Sequence, residues 1–145
     1  MRVADWMNKA LVVVTPDVPV KEAMRLLQEK RIRHLPVVEK EKLVGIITDR
    51  DLRSVAPSPA TSLSIYEINY LLDKLTVREV MTKKVFTVSP EAELEEAARL
   101  ILERRIGALP VVKDGTLVGI ITETDLLRAF LEGRERQISE GAETP

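Results

Sequence analysis

The sequence predicts a mixed α/β (α+β) fold of two similar units, each with the order strand, helix, strand, strand, helix. The main observation is an internal repeat: residues 3–54 align with residues 77–128 at a constant offset of 74, without a gap, and 24 of the 52 pairs are identical. In both copies the hydrophobic period also changes from strand-like to helix-like in the same order. Such a repeat predicts two units packed about a pseudo-two-fold axis, with binding sites near their junction.

Each copy begins with a predicted strand and helix. The strands are short β-rich runs at 11–14 and 85–88, which Pro16 and Pro90 bring to an end. Helical spacing follows in the apolar residues Val20, Ala23, Met24 and Leu27 of the first copy and Leu94, Ala97, Ala98 and Ile101 of the second.

Two more strands and a second helix complete each copy. The strands are predicted at 35–38 and 43–48, and their counterparts at 109–112 and 117–122. Asp114-Gly115 predicts a tight hairpin in the second copy, whereas the charged residues 39–42 predict a longer or looser turn in the first. The second helix of the first copy is expected to begin with Asp49 as its N-cap.

These elements divide the chain into repeat 1 (1–54), a linker (55–76), repeat 2 (77–132) and a tail (133–145). The linker has a Pro-rich loop at 56–60 and an amphipathic helix, which Ser64 and Glu67 begin as a capping box. The tail is polar and shows no helical period, so we expect it to be disordered.

Composition excludes several classes of function. The chain has no Cys, which excludes disulfides and thiolate chemistry, and a single His cannot form a metal site. The formal net charge of -1 disfavours nucleic-acid binding. No signal-peptide pattern and no membrane-length apolar run occur, so we expect a cytoplasmic protein. The sequence contains neither a nucleophile–base pattern nor a Gly-rich phosphate loop that would indicate an enzyme.

Each copy resembles a cystathionine-β-synthase (CBS) domain, and the pair resembles a Bateman module. The resemblance rests on residues 33–38 and on Leu-Val-Gly-Ile-Ile-Thr-x-x-Asp at 43–51, both with counterparts in repeat 2, and it covers about residues 1–132. Linker residues 70–77 are similar to the acetoin-utilisation-type subgroup. The resemblance implies a regulatory module that binds AMP, ADP, ATP or S-adenosylmethionine-type ligands in clefts between the repeats and acts on an unidentified target protein. It also implies a homodimer, with helical faces that would carry Leu26, Leu100 and Leu126 or their neighbours.

The candidate ligand residues surround two Thr-x-x-Asp motifs, Thr48 to Asp51 and Thr122 to Asp125. An Asp at a strand-to-helix turn can accept both hydrogen bonds of a ribose diol, and a Thr hydroxyl beside a helix N-terminus suits phosphate. The alternative is that these residues only cap helices. By resemblance Asp51 would face Lys83, Val85, Ile106 and Gly107, while Asp125 would face Lys9, Leu11, Ile32 and Arg33. For Val85, Ile32 and Ile106 the alternative is plain core packing.

The two clefts are expected to differ in charge. Repeat 1 has Arg33, His34, Arg50 and Arg53 where repeat 2 has Gly107, Ala108, Thr124 and Leu127. Arg50 and His34 are candidate phosphate contacts, because a cation beside the ligand favours phosphate. Solvated surface for Arg50 and a satisfied structural role for His34 are the alternatives. Two other functions stay open at this point: a dimerisation disc without a ligand, and a nucleic-acid-binding accessory protein.

Overall fold

The structure, a computed structural model, describes residues 1–55 and 64–143, and side chains only as far as residue 133. Its mixed α+β architecture confirms the predicted fold class. The helices are α1 (Val20–Lys30), α2 (Asp49–Ser54), α3 (Ile65–Lys74), α4 (Val77–Val80), α5 (Leu94–Arg104) and α6 (Glu123–Glu143). The strands are β1 (His34–Glu39), β2 (Lys42–Thr48), β3 (Ala108–Lys113) and β4 (Thr116–Thr122), and a 3-10 helix covers Val3–Asp5.

The chain forms two compact units whose boundaries differ from those of the sequence repeats. We name each unit after its motif carboxylate. The Asp51 unit is Val12–Val85, and the Asp125 unit combines Met1–Leu11 with Phe86–Pro145. The opening segments of the two copies have therefore exchanged places: the first belongs to the unit of repeat 2, and the second to the unit of repeat 1.

In both units the predicted first strand is reduced to one bridging residue. In the Asp51 unit, Val14 pairs in parallel with Val37: its N–H donates to the carbonyl of Pro36 (3.1 Å), and its own carbonyl accepts from Val38 (2.9 Å). Val88 pairs with Val111 in the same way in the Asp125 unit. The run stays short because a proline follows two residues later and has no N–H to extend the pairing. The expected strand–helix–strand crossover is nevertheless present, since α1 and α5 connect the bridges to β1 and β3.

Each unit contains an antiparallel hairpin, β1–β2 or β3–β4, with a register irregularity after Val37 or Val111. The expectation of a longer turn in the first copy is wrong. Both strand pairs are joined by two residues, Lys40-Glu41 and Asp114-Gly115, and all four have positive φ angles between 50° and 81°. The twist of the paired strands selects this turn even where the sequence offers no Gly.

The core of each unit lies between its hairpin and its helices. α1 buries Val20, Ala23 and Leu27, and α5 buries Leu94, Ala97 and Ile101, as the spacing predicts. Against them pack the fully buried strand residues Leu35, Val37 and Ile47 in one unit and Leu109, Val111 and Ile121 in the other. The strand ends that carry the Thr-x-x-Asp motifs are thereby anchored in packed cores.

The linker helix and the C-terminal helix complete the chain. Ser64 caps α3 by accepting a hydrogen bond from the N–H of Glu67 at 3.2 Å, which is one half of the predicted capping box. The predicted loop at 56–60 lies outside the described residues. α6 continues to Glu143, over most of the residues for which a disordered tail is predicted. The Arg, Glu and Gln residues at 134–137 have favourable helix propensities. In the described part of the chain, no helix combines the length and apolarity that crossing a membrane requires.

Candidate functional site

The Thr48–Asp51 motif forms a reciprocal helix cap at the start of α2. The N–H of Thr48 donates to Asp51 Oδ2 at 3.0 Å, and the N–H of Asp51 donates to Thr48 Oγ1 at 3.1 Å. The N-cap is Thr48, so the expectation of Asp49 is wrong: Thr48 is the extended residue whose side chain reaches back to the third helical N–H. The capping interpretation of the motif is therefore correct as far as Oδ2 is concerned.

The Thr122–Asp125 motif repeats this cap at the start of α6. Asp125 Oδ2 accepts from the N–H of Thr122 at 2.9 Å and from the Thr122 hydroxyl at 3.0 Å, and the N–H of Asp125 donates back to that hydroxyl at 3.3 Å. Asp125 is 8% exposed, and no other charged residue in the described part of the chain is classed as buried. A carboxylate at this depth needs hydrogen-bond donors, and Thr122 supplies them.

The second carboxylate oxygen, Oδ1, takes no part in either cap. At Asp51 it accepts a hydrogen bond from the hydroxyl of Thr82 at 3.4 Å, and at Asp125 it lies 3.6 Å from a guanidinium nitrogen of Arg128. Capping and ligand binding are therefore compatible, because they use different oxygens. Thr82 and Arg128 are not among the residues that the sequence predicts at the site. Arg128 does have a sequence signal, since a residue three positions after Asp125 lies on the same helix face.

The exchanged segments bring further predicted residues into each unit. In the Asp51 unit, Thr82 and Ile46 exchange backbone hydrogen bonds of 2.9 and 3.0 Å, and the Thr82 hydroxyl contacts Asp51. Exposed Lys83 is the next residue, and half-buried Val85 lies two positions further along. Lys83 and Val85 belong to the same unit as Asp51, and their contact with a ligand stays a prediction.

In the Asp125 unit the equivalent pair is Asn8 and Ile120, with backbone hydrogen bonds of 2.8 and 3.1 Å. This pairing precedes Lys9 and Leu11, which share the unit with Asp125. Asn8 stands in the position of Thr82, but its side chain accepts from the N–H of Ala10 at 2.9 Å. The two sites therefore differ in the residues around their carboxylates.

The residues just before β1 and β3 are tied to the capped helices. The N–H of Asp49 donates to the carbonyl of Arg33, and that of Glu123 donates to the carbonyl of Gly107, both at 3.1 Å. Ile32 and Ile106 each pack against the core of their own unit, which supports the core interpretation of these two side chains. The expected pairing of Asp51 with Ile106 and Gly107, and of Asp125 with Ile32 and Arg33, joins residues of different units and stays a prediction.

The cations of repeat 1 lie around the Asp51 motif. His34 is the β1 residue opposite Thr48 in the hairpin, and Arg33 and Arg50 are exposed. The guanidinium of Arg53 lies 3.7 Å from the carboxylate of Asp49 rather than beside Asp51. Phosphate contacts by Arg50 and His34 remain predictions.

The family model of the CBS domain matches residues 3–58 and 77–132. The chain therefore belongs to the CBS-domain family, with two copies of the domain, and the resemblance is confirmed. The protein MJ1426 of Methanocaldococcus jannaschii is 36% identical over 90% of this chain and 92% of its own length. AcuB of Vibrio cholerae, which is named for acetoin utilization, is 31% identical with a TM-score of 0.79 over 96% of both chains.

Two further structures similar to this chain contain ligands. CBSX2 of Arabidopsis thaliana in complex with AMP is 36% identical, with a TM-score of 0.77 over 92% of this chain and 98% of that one. The CBS domain pair of MJ0100, in complex with 5′-methylthioadenosine and S-adenosyl-L-methionine, is 30% identical, with a TM-score of 0.74 over 90% and 99%. All three ligands contain adenosine, whereas their charges differ.

Proposed function

We propose that this CBS pair is a regulatory module that binds adenosine-containing ligands, with the ribose diol held by Asp51 in one site and by Asp125 in the other. The proposal rests on one observation: the two oxygens of each carboxylate have different roles. Oδ2 is held by the helix cap, and Oδ1 is outside it. The adenosine ligands of CBSX2 and MJ0100 support the ligand class.

The cap prepares each carboxylate for a diol. Oδ1 lies outside the cap and has more than one acceptor position, so it can accept ribose hydroxyls while Oδ2 stays bonded to the backbone N–H of Thr48 or Thr122. Because the cap already restricts the side-chain torsions, less conformational entropy is lost when the ligand binds. Two hydroxyl donors on one ionised acceptor form charge-assisted hydrogen bonds, which are the stronger class.

Regulation requires more than binding. A ligand shifts the chain between two conformations only if it binds one of them more tightly, and the shifted conformation then has to be recognised by a target protein. We propose that the module acts in this way on a separate or attached partner and catalyses no reaction itself.

Calorimetry with AMP, S-adenosylmethionine and adenosine tests the proposal, after a thermal-shift screen. Ligand at ~100 times its dissociation constant adds ~2.7 kcal/mol to the free energy of unfolding, which raises the melting temperature measurably. The informative variants are Asp51→Asn and Asp125→Asn. The Asn side-chain oxygen keeps the hydrogen bond from the Thr amide, while its NH2 group cannot accept from a diol.

Each single variant is expected to lose one site, and the double variant both. If the double variant binds as tightly as the parent, the assignment of the ribose to these carboxylates is wrong. If no adenosine compound shifts the melting temperature of the parent, the ligand-free dimerisation disc is the better description.

A further inference from the structure

Arg128 distinguishes the two motif carboxylates. Its guanidinium lies 3.6 Å from Asp125 Oδ1, and its side chain is 57% exposed, whereas that of Asp125 is 12% exposed. One end of this ion pair is therefore nearly buried in the motif, and the other end extends into solvent. Because Oδ2 of Asp125 is already engaged with Thr122, Arg128 contacts the one oxygen that the cap leaves over.

The Asp51 unit lacks this arrangement because its arginine is shifted by one position. The residue three positions after Asp51 is Ser54, whose hydroxyl donates to the carbonyl of Asp51 at 2.6 Å. The arginine precedes it, as Arg53, and pairs with Asp49. Asp51 Oδ1 instead accepts from the neutral hydroxyl of Thr82. One site thus has a cation on its carboxylate, and the other has a neutral donor.

We infer that Arg128 is a specificity-determining residue, which makes the Asp125 site select adenosine ligands that carry an anionic group over neutral ones. The inference rests on the proposed function. A neutral nucleoside has to compete with Arg128 for Oδ1, and it has no anionic group that the guanidinium could bind instead. A nucleotide offers it a phosphate, which a guanidinium binds through two parallel hydrogen bonds.

The geometry of the side chain permits this exchange. Arg has five N–H donors on a planar group at the end of a long stem, so one edge can stay near Asp125 while another contacts an anion. Its exposure means that no packed core has to rearrange when it turns. At Asp51 the neutral Thr82 takes this place, so a preference of the Asp51 site for anionic ligands would have to come from the predicted phosphate contacts of Arg50 and His34.

The test measures the ratio of AMP to adenosine affinity in one site at a time. Asp51→Asn leaves only the Asp125 site, and Arg128→Ser is introduced on this background. Asp125→Asn leaves only the Asp51 site, and Ser54→Arg places a guanidinium at the corresponding position. Calorimetry with AMP and with adenosine is carried out on all four proteins.

Arg128→Ser is expected to lower the ratio of AMP affinity to adenosine affinity at least about tenfold, mainly because AMP binds more weakly. This factor corresponds to the loss of one charge-assisted hydrogen bond. Ser54→Arg is expected to raise the ratio in the other site. A loss of fold or of general site geometry would weaken both ligands equally and leave the ratio unchanged.

An unchanged ratio in Arg128→Ser, with binding that still depends on Asp125, overturns the inference and leaves the proposed function intact. Binding that survives the double substitution of Asp51 and Asp125 by Asn overturns both.

Discussion

The sulfur of Met81 lies against the backbone of Gly45, only 2.6 Å from the position that a Cβ atom of residue 45 would occupy. Met7 and Gly119 repeat this contact in the other unit, where the corresponding distance is 2.7 Å. Both contacts join an exchanged opening segment to the second strand of a hairpin, one residue before the backbone pairings of Thr82 and Asn8. The glycines are thus what allows the segments next to Asp51 and Asp125 to approach so closely.

Gly45→Ala should therefore destabilise the protein. Besides Met81, the new methyl group would meet the carbonyl oxygen of Thr82 at 3.0 Å, and this backbone atom cannot turn away as a side chain can. Overpacking of this kind costs about 1–3 kcal/mol of unfolding free energy, which urea denaturation measures.

Gly133→Ala is the matched control for Gly45→Ala. Gly133 lies within α6, where a Cβ atom would have only an ordinary contact of 3.7 Å with Met1. Ala is the better helix former by ~1 kcal/mol, so this variant should be neutral or more stable than the parent. Equal destabilisation by both variants would contradict the packing argument.

The local elements could be predicted because their signals are local. The hydrophobic periods of α1 and α5, the cap at Ser64 and the hairpins all depend on residues close together in sequence. The exchange of the opening segments could not be predicted in this way, since the contacts of Met7 with Gly119 and of Met81 with Gly45 join residues that are distant in sequence or lie in different elements. A repeat pattern assigns each segment to its own copy and contains no information on which copy it packs against.

The Lys40-Glu41 turn contains strain that a single substitution should relieve. Glu41 has a φ of 67°, a left-handed conformation that costs a residue with a side chain ~1–2 kcal/mol. Its counterpart is Gly115, at φ 81°. Glu41→Gly should raise the free energy of unfolding by about 0.5–1 kcal/mol, after allowance for the greater entropy of Gly in the unfolded chain.

The reverse substitution, Gly115→Glu, provides the comparison for this turn. No heavy atom lies within 4 Å of a Cβ built at Gly115, so steric crowding is not a factor and only the backbone conformation is tested. We expect a loss of stability of similar size. A stabilising effect of Gly115→Glu in thermal unfolding would show that the turn conformation is not the cause.

Glu91 should contribute a small acid-sensitive part of the stability. Its carboxylate accepts a hydrogen bond from the Ser89 hydroxyl at 2.6 Å and pairs with Lys113 at 3.0 Å. The Ser89 hydrogen bond first, and that from Lys113 second, lower the pKa of Glu91 to about 2 from an ordinary 4.5. A carboxylate with a lowered pKa stabilises the fold above the pKa of the unfolded chain, and this contribution is lost as the pH falls through the folded value.

Glu91→Gln should consequently have a slightly lower melting temperature than the parent at pH 7, and the difference should disappear between about pH 4.5 and pH 2. In Ser89→Ala the NMR-detected pKa of Glu91 should rise toward its ordinary value. A melting difference that persists unchanged at pH 2 would show that Glu91 acts through packing instead of charge.

For the expected homodimer, we propose the neighbours of Leu126 on α6 as the contact surface. Leu26, Leu100 and Leu126 pack against the cores of their own units. On α6, by contrast, Leu127 and Phe130 are 65% and 62% exposed and lie on one face. Phe130→Glu should therefore convert a dimer into a monomer of 16.3 kDa in light scattering.

Tyr66→Glu is the control for the dimer prediction, because Tyr66 is 83% exposed on α3, away from α6 in sequence and in a different unit. It should leave the molecular mass unchanged. A parent chain that is already monomeric at tens of micromolar would contradict the proposal of a homodimer.

The candidate site was predictable only in part. The duplicated Thr-x-x-Asp motif identifies Asp51 and Asp125, because identical chemistry at equivalent strand ends is visible in the sequence. The differences between the two sites were harder to find. When the two repeats are compared position by position, Leu127 stands opposite Arg53. Arg128, one position further along the helix, is not noticed in this comparison. The position of Arg128 at the site depends on its spacing of three residues from Asp125 along the helix. This relationship becomes clear only from the structure of the helix cap.

Asp125→Ala and Asp125→Asn should separate the structural role of this carboxylate from its role in binding. Ala removes the acceptor of the Thr122 amide and hydroxyl in a nearly buried setting, and the loss of a helix cap costs about 0.5–2 kcal/mol. Asn keeps an oxygen in the cap, so it should retain most of the stability while it loses the ionised acceptor that a ribose diol requires. Urea denaturation without ligand should therefore show that Asn is more stable than Ala, whereas calorimetry with AMP should show equal loss of the Asp125 site in both. If AMP affinity instead follows the order of stability, the carboxylate affects binding only through the helix cap.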